Sequence, residues 1–296
     1  MCLATTLGPL TLKNPLILCS GVLDMTRKSM EHLPEAGGVV TKSVGREERL
    51  GYGNPSVVEM EHGLLNAMGL PNPGVDAYVE EMRGHAIEVL IGSVFGEDQA
   101  SFVQAAVKMA TVAHALELNM SCPHAGSYGA GVPTQAISSL VSAVKKEVKV
   151  PVFVKLGAEN IRERAEAAVA GGADGLVAIN TVRAMAIDVE TGQPILANRI
   201  GGYSGPAIKP IGVRCVYELA QDHSLPVIGV GGATTARDVL EYVMAGSSAV
   251  QMGSALHYGG KTAFRRICDD LRSWLREHHI KSITEVIGRA LPNNNL

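Results

Sequence analysis

The sequence predicts an α/β fold, a (β/α)8 barrel with insertions at its C-terminal rim. Three observations predict it. Eight short aliphatic or β-branched runs are spread along the chain, and helix-like stretches separate most of them, an alternation that implies parallel strands with helices outside. The composition, 46% hydrophobic but only 4% aromatic with 33 glycines, calls for a core of Val, Ile, Leu, Ala and Met, as in buried parallel strands. Finally, 296 residues accommodate one barrel of about 250 residues plus loop insertions. With no repeat, linker or low-complexity tract in view, the chain reads as one domain, 1–296.

The runs centre on residues 16–18, 39–41, 89–91, 116–118, 152–154, 176–179, 227–230 and 249–251. Helical stretches are expected over 98–113, 134–148, 160–170, 208–221 and 235–245. Asn160 with Glu163, and Thr235 with Asp238, have the spacing of a capping box, which marks a helix start. Two connections, 44–83 and 181–206, are too long for tight turns. Long insertions after barrel strands usually build the active site.

A net charge of -3 and a pI near 6.3, with Lys and Arg scattered, give no electrostatic reason to expect nucleic acid. No apolar run approaches the roughly 18 residues needed to cross a bilayer, and the first residues lack the order of a secretory signal. A cytoplasmic protein acting on small molecules is therefore expected, with no membrane partner. Five cysteines, odd in number and never paired as CxxC, argue against a disulfide framework, a zinc site or an iron-sulfur cluster held by this chain alone. Any redox centre is then an organic cofactor or belongs to a partner, and no metal site is expected.

In such a barrel the residues just after each run share one rim. These are Ser20 and Gly21, Lys42 and Ser43, Ser93, Asn119 and Cys122, Lys155, Asn180 and Thr181, Gly231 and Gly232, and Gly253 and Ser254. Asn119-Met120-Ser121-Cys122-Pro123 sets a thiol in a loop directly behind an apolar stretch, where it could carry a proton. The glycine turns Gly229-Val230-Gly231-Gly232 and Gly253-Ser254 occupy the usual phosphate position of (β/α)8 enzymes, after the last two strands. They are not a dinucleotide fingerprint, because the third glycine at its required spacing is missing. Gly260-Lys261-Thr262 is not a P-loop, because Ala255 stands where its first glycine must be.

Several motifs in one order then become specific. Asn119-Met120-Ser121-Cys122-Pro123, Thr41-Lys42-Ser43, Asn66-Ala67-Met68-Gly69-Leu70, Asn180-Thr181 and the segment from Gly202 to Pro210 resemble the class 1 dihydroorotate dehydrogenases, over about residues 15–254. The resemblance implies a (β/α)8 barrel with FMN at its C-terminal rim and oxidation of dihydroorotate to orotate in pyrimidine biosynthesis. It implies FMN contacts from Ser20, Lys42, Ser43, Ser93, Asn119, Lys155, Ile179, Gly205, Gly231, Gly232, Gly253 and Ser254. Substrate contacts are implied for Lys42, Asn66, Met68, Gly69, Leu70, Asn119, Asn180 and Thr181. Cys122 is implied as the general base, Lys42 as the cation that meets the substrate carboxylate, and Lys155 as a stabiliser of charge on the reduced flavin.

The insertion holding Ala186-Ile187-Asp188 and Leu196-Ala197-Asn198 is most similar to the subclass that reduces NAD through a separate iron-sulfur FAD electron-transfer subunit. A homodimeric core is implied as well. Three positions depart from the family pattern. His124 stands where most members have asparagine, and in this it resembles the uracil-reducing domain of dihydropyrimidine dehydrogenase, so the alternative substrate is uracil or another dihydropyrimidine. Ser93 replaces an asparagine common near the flavin, and Lys155-Leu156-Gly157-Ala158 lacks the Ser-Pro that often follows the lysine. Glycines over 125–131 suggest that Cys122 sits at the base of a flap.

Overall fold

Eight parallel strands close into a barrel in the computed structural model, which describes residues 1–22, 26–33, 35–120 and 132–292. In chain order they are Leu16–Leu18, Gly38–Val40, Leu90–Val94, Ala115–Asn119, Val152–Leu156, Gly175–Ala178, Val227–Val230 and Ser247–Met252, and the eighth pairs with the first. Every run expected from the sequence is one of them. Helices α1 (Arg27–Glu31), α2 (Val75–Met82), α3 (Gln99–Met109), α4 (Thr134–Glu147), α5 (Ile161–Ala170), α6 (Lys209–Asp222) and α7 (Ala236–Met244) fall between successive strands. Helices α8 (Ser254–Gly259) and α9 (Ala263–Glu277) follow the last strand.

The period of two in a strand sends alternate side chains to opposite faces, and here it makes two separate cores. Residues such as Leu116, Leu118, Val152, Val154 and Val250 point outward and pack against the helices. Ile17, Val40, Ile91, Ala115, Phe153, Val177, Ile228 and Ala249 point inward and fill the barrel. A short antiparallel hairpin, Thr5–Leu7 with Leu10–Leu12, adds Leu7 and Leu12 to that inner core. Strands of three residues leave too little periodicity to be read, and this hairpin was not among the expected elements. One step further along five of the strands the inward positions turn polar: Lys42, Ser93, Glu117, Lys155 and Gln251.

Thr235 caps α7 with the expected box, its hydroxyl accepting from the Asp238 N–H at 3.2 Å. Asn160 does not cap α5. Its backbone is left-handed, φ 50°, and its side chain makes no capping bond, because an N-cap needs an extended backbone to reach the third amide. Asparagine is among the few non-glycine residues that tolerate this conformation.

The two long connections build one structure. Strands Val57–Met60 and Gly63–Asn66 from the first pair with Gly201–Ser204 and Val182–Ala184 from the second, in a four-stranded antiparallel sheet. Its register sets Asn66 opposite Gly202, and the Asn66 amide donates to the Gly202 carbonyl at 3.2 Å. Among the described residues, no helix is long and apolar enough to cross a membrane.

Candidate active site

A cavity of about 910 Å³ opens where the barrel strands end and the rim sheet begins. Ser20, Lys42, Ser43, Asn119, Lys155, Ile179, Asn180 and Thr181 line it from the strand ends. Asn66, Met68, Gly69, Leu70 and Gly205 line it from the insertions, and Gly231, Gly232, Gly253 and Ser254 from the last two turns. The structure therefore gathers seventeen of the residues singled out in the sequence around one space.

Ser93, expected beside the flavin, is not among the residues that line the cavity: it is fully buried, with its hydroxyl 2.8 Å from Ser43 Oγ, where it supports the side chain that does line it. Cys122 and His124 lie outside the described residues.

The polar wall is wired together. Asn180 Nδ2 donates to Asn119 Oδ1 at 3.4 Å, and Asn119 Nδ2 donates to Ser43 Oγ at 3.2 Å. The hydroxyls of Ser20 and Ser43 lie 3.4 Å apart. Amides offer donors and acceptors together, and fixing them to one another leaves their remaining edges in one orientation. That suits a flat ring bearing both kinds of group.

At one end, Gly69 and Leu70 are both left-handed, with φ 74° and 57°. Leucine rarely adopts this conformation, at a cost of order 1 kcal/mol; packing of Leu70 against Phe95 holds it there. Tyr52 N–H takes the Met68 carbonyl at 2.9 Å, and Asn72 Nδ2 takes the Leu70 carbonyl at 2.9 Å. The N–H groups of Met68, Gly69 and Leu70 have no acceptor among the described residues. A row of such donors, lining the same cavity as Lys42, suits an anion.

At the other end, Gly205, Gly231 and Gly232 all have positive φ, 107°, 129° and 69°. A Cβ on Gly232 would collide with the Gly205 carbonyl oxygen, so only glycine permits the two turns to approach. Beneath them Tyr242 donates from its hydroxyl to the Gly231 carbonyl at 2.7 Å. Burial holds the Tyr242 hydroxyl well above the usual phenol range, so it stays protonated and donating. In a trans peptide the C=O and the following N–H point opposite ways, so anchoring the Gly231 carbonyl turns the Gly232 N–H away from Tyr242.

The sequence reading missed several residues. Cys19 lines the cavity, and burial pushes its thiol up to about 11. Gln251 lines the floor beside Lys155, and Glu117 lies behind both. A charged or amide residue at an inward position of an otherwise aliphatic strand was the available signal. Arg164 lines the far side and donates to the Met120 carbonyl at 3.0 Å, which also accepts from Val132 N–H at 3.0 Å. Burial lowers the pKa of Arg164.

Comparison with known proteins agrees with this architecture. Residues 2–275 match the profile of the family described as Dihydroorotate dehydrogenase. A Pyrococcus abyssi protein named "Dihydroorotate dehydrogenase B (NAD(+)), catalytic subunit" is 49% identical over 286 residues, covering 94% of this chain and 96% of its own. Proteins of the same name from Methanocaldococcus jannaschii and Methanocella arvoryzae are 45% and 46% identical, covering 97% and 96% of this chain and 98% and 96% of theirs. With a family profile across nearly all of its length and relatives this similar end to end, the chain belongs to the dihydroorotate dehydrogenase family.

Proposed function

We propose that this protein oxidises dihydroorotate to orotate in pyrimidine biosynthesis, with FMN held in the rim cavity. The observation that carries the reading is the convergence, on one space, of Lys42, a row of N–H donors at Met68 to Leu70 and a glycine cradle at Gly231 and Gly232. The residues present fit FMN: the cradle offers N–H groups to a phosphate, and Lys155 with the amide wall offers cations and donors to a polar ring. When bound, FMN supplies the acceptor for a hydride.

The chain's own residues do the rest. Lys42 and the N–H groups of Met68, Gly69 and Leu70 hold the substrate carboxylate. Asn66, Asn119, Asn180 and Thr181 hold the ring edges, and so fix which carbon faces the cofactor. Cys122, in the Asn-x-Ser-Cys-Pro motif, takes the proton from C5 while the C6 hydrogen leaves with two electrons, and the C5–C6 double bond of orotate forms. The thiolate, not the thiol, does this work.

The relatives' names place them as catalytic subunits of NAD(+) enzymes. By extension, electrons from this chain pass to a separate iron-sulfur FAD subunit and then to NAD, in the cytoplasm. The deciding experiment is anaerobic mixing of the yellow protein with dihydroorotate and, separately, with dihydrouracil. Bleaching by dihydroorotate alone is expected, and a Cys122→Ala variant should keep its flavin while losing about 10² to 10⁴ of the reduction rate. Bleaching by dihydrouracil instead would move the substrate to the pyrimidines without a carboxylate, the alternative to which the resemblance at His124 points. A colourless protein would end the flavin reading.

A further inference from the structure

A buried carboxylate stands directly behind the cavity floor. Glu117 and Gln251 are each 1% exposed or less, and the Lys155 side chain only 7%. They come from the fourth, eighth and fifth barrel strands. Lys155 Nζ lies 3.4 Å from Glu117 Oε1 and donates to Gln251 Oε1 at 3.3 Å, while Gln251 Nε2 donates to Glu117 Oε2. The three side chains form a closed triangle. Because Glu117 takes the amide's N–H, Gln251 must turn its carbonyl to the lysine.

Two features separate this triangle from a structural ion pair. A buried pair is worth little stability compared with apolar side chains of equal volume, and the layer of the barrel immediately below is filled with Ile91, Ala115, Phe153, Val177 and Ile228. Space-filling therefore does not require charge here. The triangle is also one-sided. Lys155 and Gln251 line the cavity, whereas Glu117 does not, and its Oε1 has no well-formed hydrogen bond. The lysine faces the ligand with its counter-charge sealed at its back.

We propose that Glu117 is a positioning and charge-tuning residue. Acting through Lys155, it fixes the ammonium at the floor and subtracts from the positive potential that Lys155 and Lys42 present to the cofactor. This rests on the reading that a flavin occupies the cavity. A reduced flavin gains negative charge, and a cation beside it favours reduction. A carboxylate behind that cation, in a medium of low dielectric, opposes reduction at short range. Glu117 thus keeps the bound cofactor ready to release the electrons it receives from substrate, as an enzyme that passes them to a separate acceptor requires.

The test is the midpoint potential of the bound flavin, followed by absorbance during reductive titration of the holoenzyme. Glu117→Gln keeps the shape and removes the charge. It is expected to favour the reduced form at least tenfold, a rise of about 30 mV for a two-electron couple. Glu117→Asp, which keeps the charge but withdraws it by one methylene, is expected to rise by less, and it stands in if the glutamine variant fails to fold. A flavin-loaded variant with an unchanged or lowered potential overturns the role of Glu117 and leaves the FMN reading intact. Wild-type protein that takes up no flavin overturns that reading instead.

Discussion

The Asn119 amide donates to the Ser43 hydroxyl at 3.2 Å and so ties the end of the fourth barrel strand to the turn after the second. Ser43 is in turn supported by the buried Ser93 hydroxyl. Its oxygen accepts from Asn180 Nδ2 at 3.4 Å, so the protein fixes the orientation of the amide that the reading above presents to the ligand. Asn119→Ala should leave Ser43 short of a partner and the ligand short of one, a loss of about 1–3 kcal/mol. Orotate titrated into the flavin-loaded variant, followed by the shift of the flavin spectrum, should bind roughly tenfold to a hundredfold more weakly. Unchanged affinity would remove Asn119 from the substrate site.

Lys42 stands at the same floor, its Nζ 3.4 Å from where a Cβ on Gly21 would be. If it meets the substrate carboxylate, Lys42→Met should lose discrimination more than folding. Anaerobic reduction by dihydroorotate should slow about 10²- to 10³-fold, the usual worth of one charge-stabilising donor. Dihydrouracil, which lacks the carboxylate, shares only the part of this loss that comes from the lysine's charge beside the cofactor and should slow by clearly less; equal slowing of the two substrates would remove the carboxylate contact.

How far the sequence reached can be argued from particular residues. Barrel strands buried on both faces read as continuous aliphatic runs, and each of the eight was where it was expected. Residues that follow a strand share a rim, which made Lys42, Asn119 and Gly231 legible as neighbours. The rim sheet was not legible, because Gly63–Asn66 pairs with Gly201–Ser204 across a large separation in the chain and neither strand announces its partner. Glu117 was missed because the stretch 115–118 reads as apolar, and only alternation along a known strand turns its side chain inward. Asn160 failed as a cap because spacing carries no information about a left-handed backbone.

The cradle loop has a pH-dependent support. Asp238 accepts from Thr234 and Thr235 and pairs with Lys209 at 2.8 Å. Burial pushes its carboxyl up, but the Lys209 ammonium and the threonine donors together outweigh it, and the net pKa lies below the ordinary 3.8. A depressed folded-state pKa means stability that is complete above the usual carboxylate range and lost as pH falls through the lowered value. Asp238→Asn should therefore cost about 1 kcal/mol at pH 7, in line with a helix cap. In urea denaturation the gap between variant and wild type should narrow below about pH 4. A gap that widened in acid would contradict the assignment.

Thiol chemistry offers an independent check on three cysteines, Cys215 and Cys268 in the core and the half-buried Cys19 at the cavity wall. Burial raises Cys19, Cys215 and Cys268 to about 11 each. At pH 8 roughly one molecule in a thousand carries the thiolate at such a site, and the thiolate is the reactive form. Iodoacetamide on the native protein should leave all three unmodified by peptide mass mapping, while the exposed Cys2 is alkylated. Rapid labelling of Cys19 would show that the cavity floor is wetter and less apolar than its geometry implies.

Tyr242 gives the sharpest test of the phosphate end. Its ring fills the space left by Gly212 and Gly229, where added Cβ atoms would strike it, and its hydroxyl holds the Gly231 carbonyl. Tyr242→Phe keeps the ring and releases that carbonyl, so the Gly231–Gly232 peptide loses its fixed orientation. One hydrogen bond of about 1 kcal/mol corresponds to roughly a fivefold loss. The loss should fall on ligands that use the Gly232 N–H and on no others. FMN should therefore leave the variant about five times faster than the wild type, as read by recovery of free-flavin fluorescence on dilution. Riboflavin, which carries the same ring without the phosphate, should leave both proteins at the same rate. Equal weakening of the two flavins would make Tyr242 a packing residue and separate the cradle from phosphate binding.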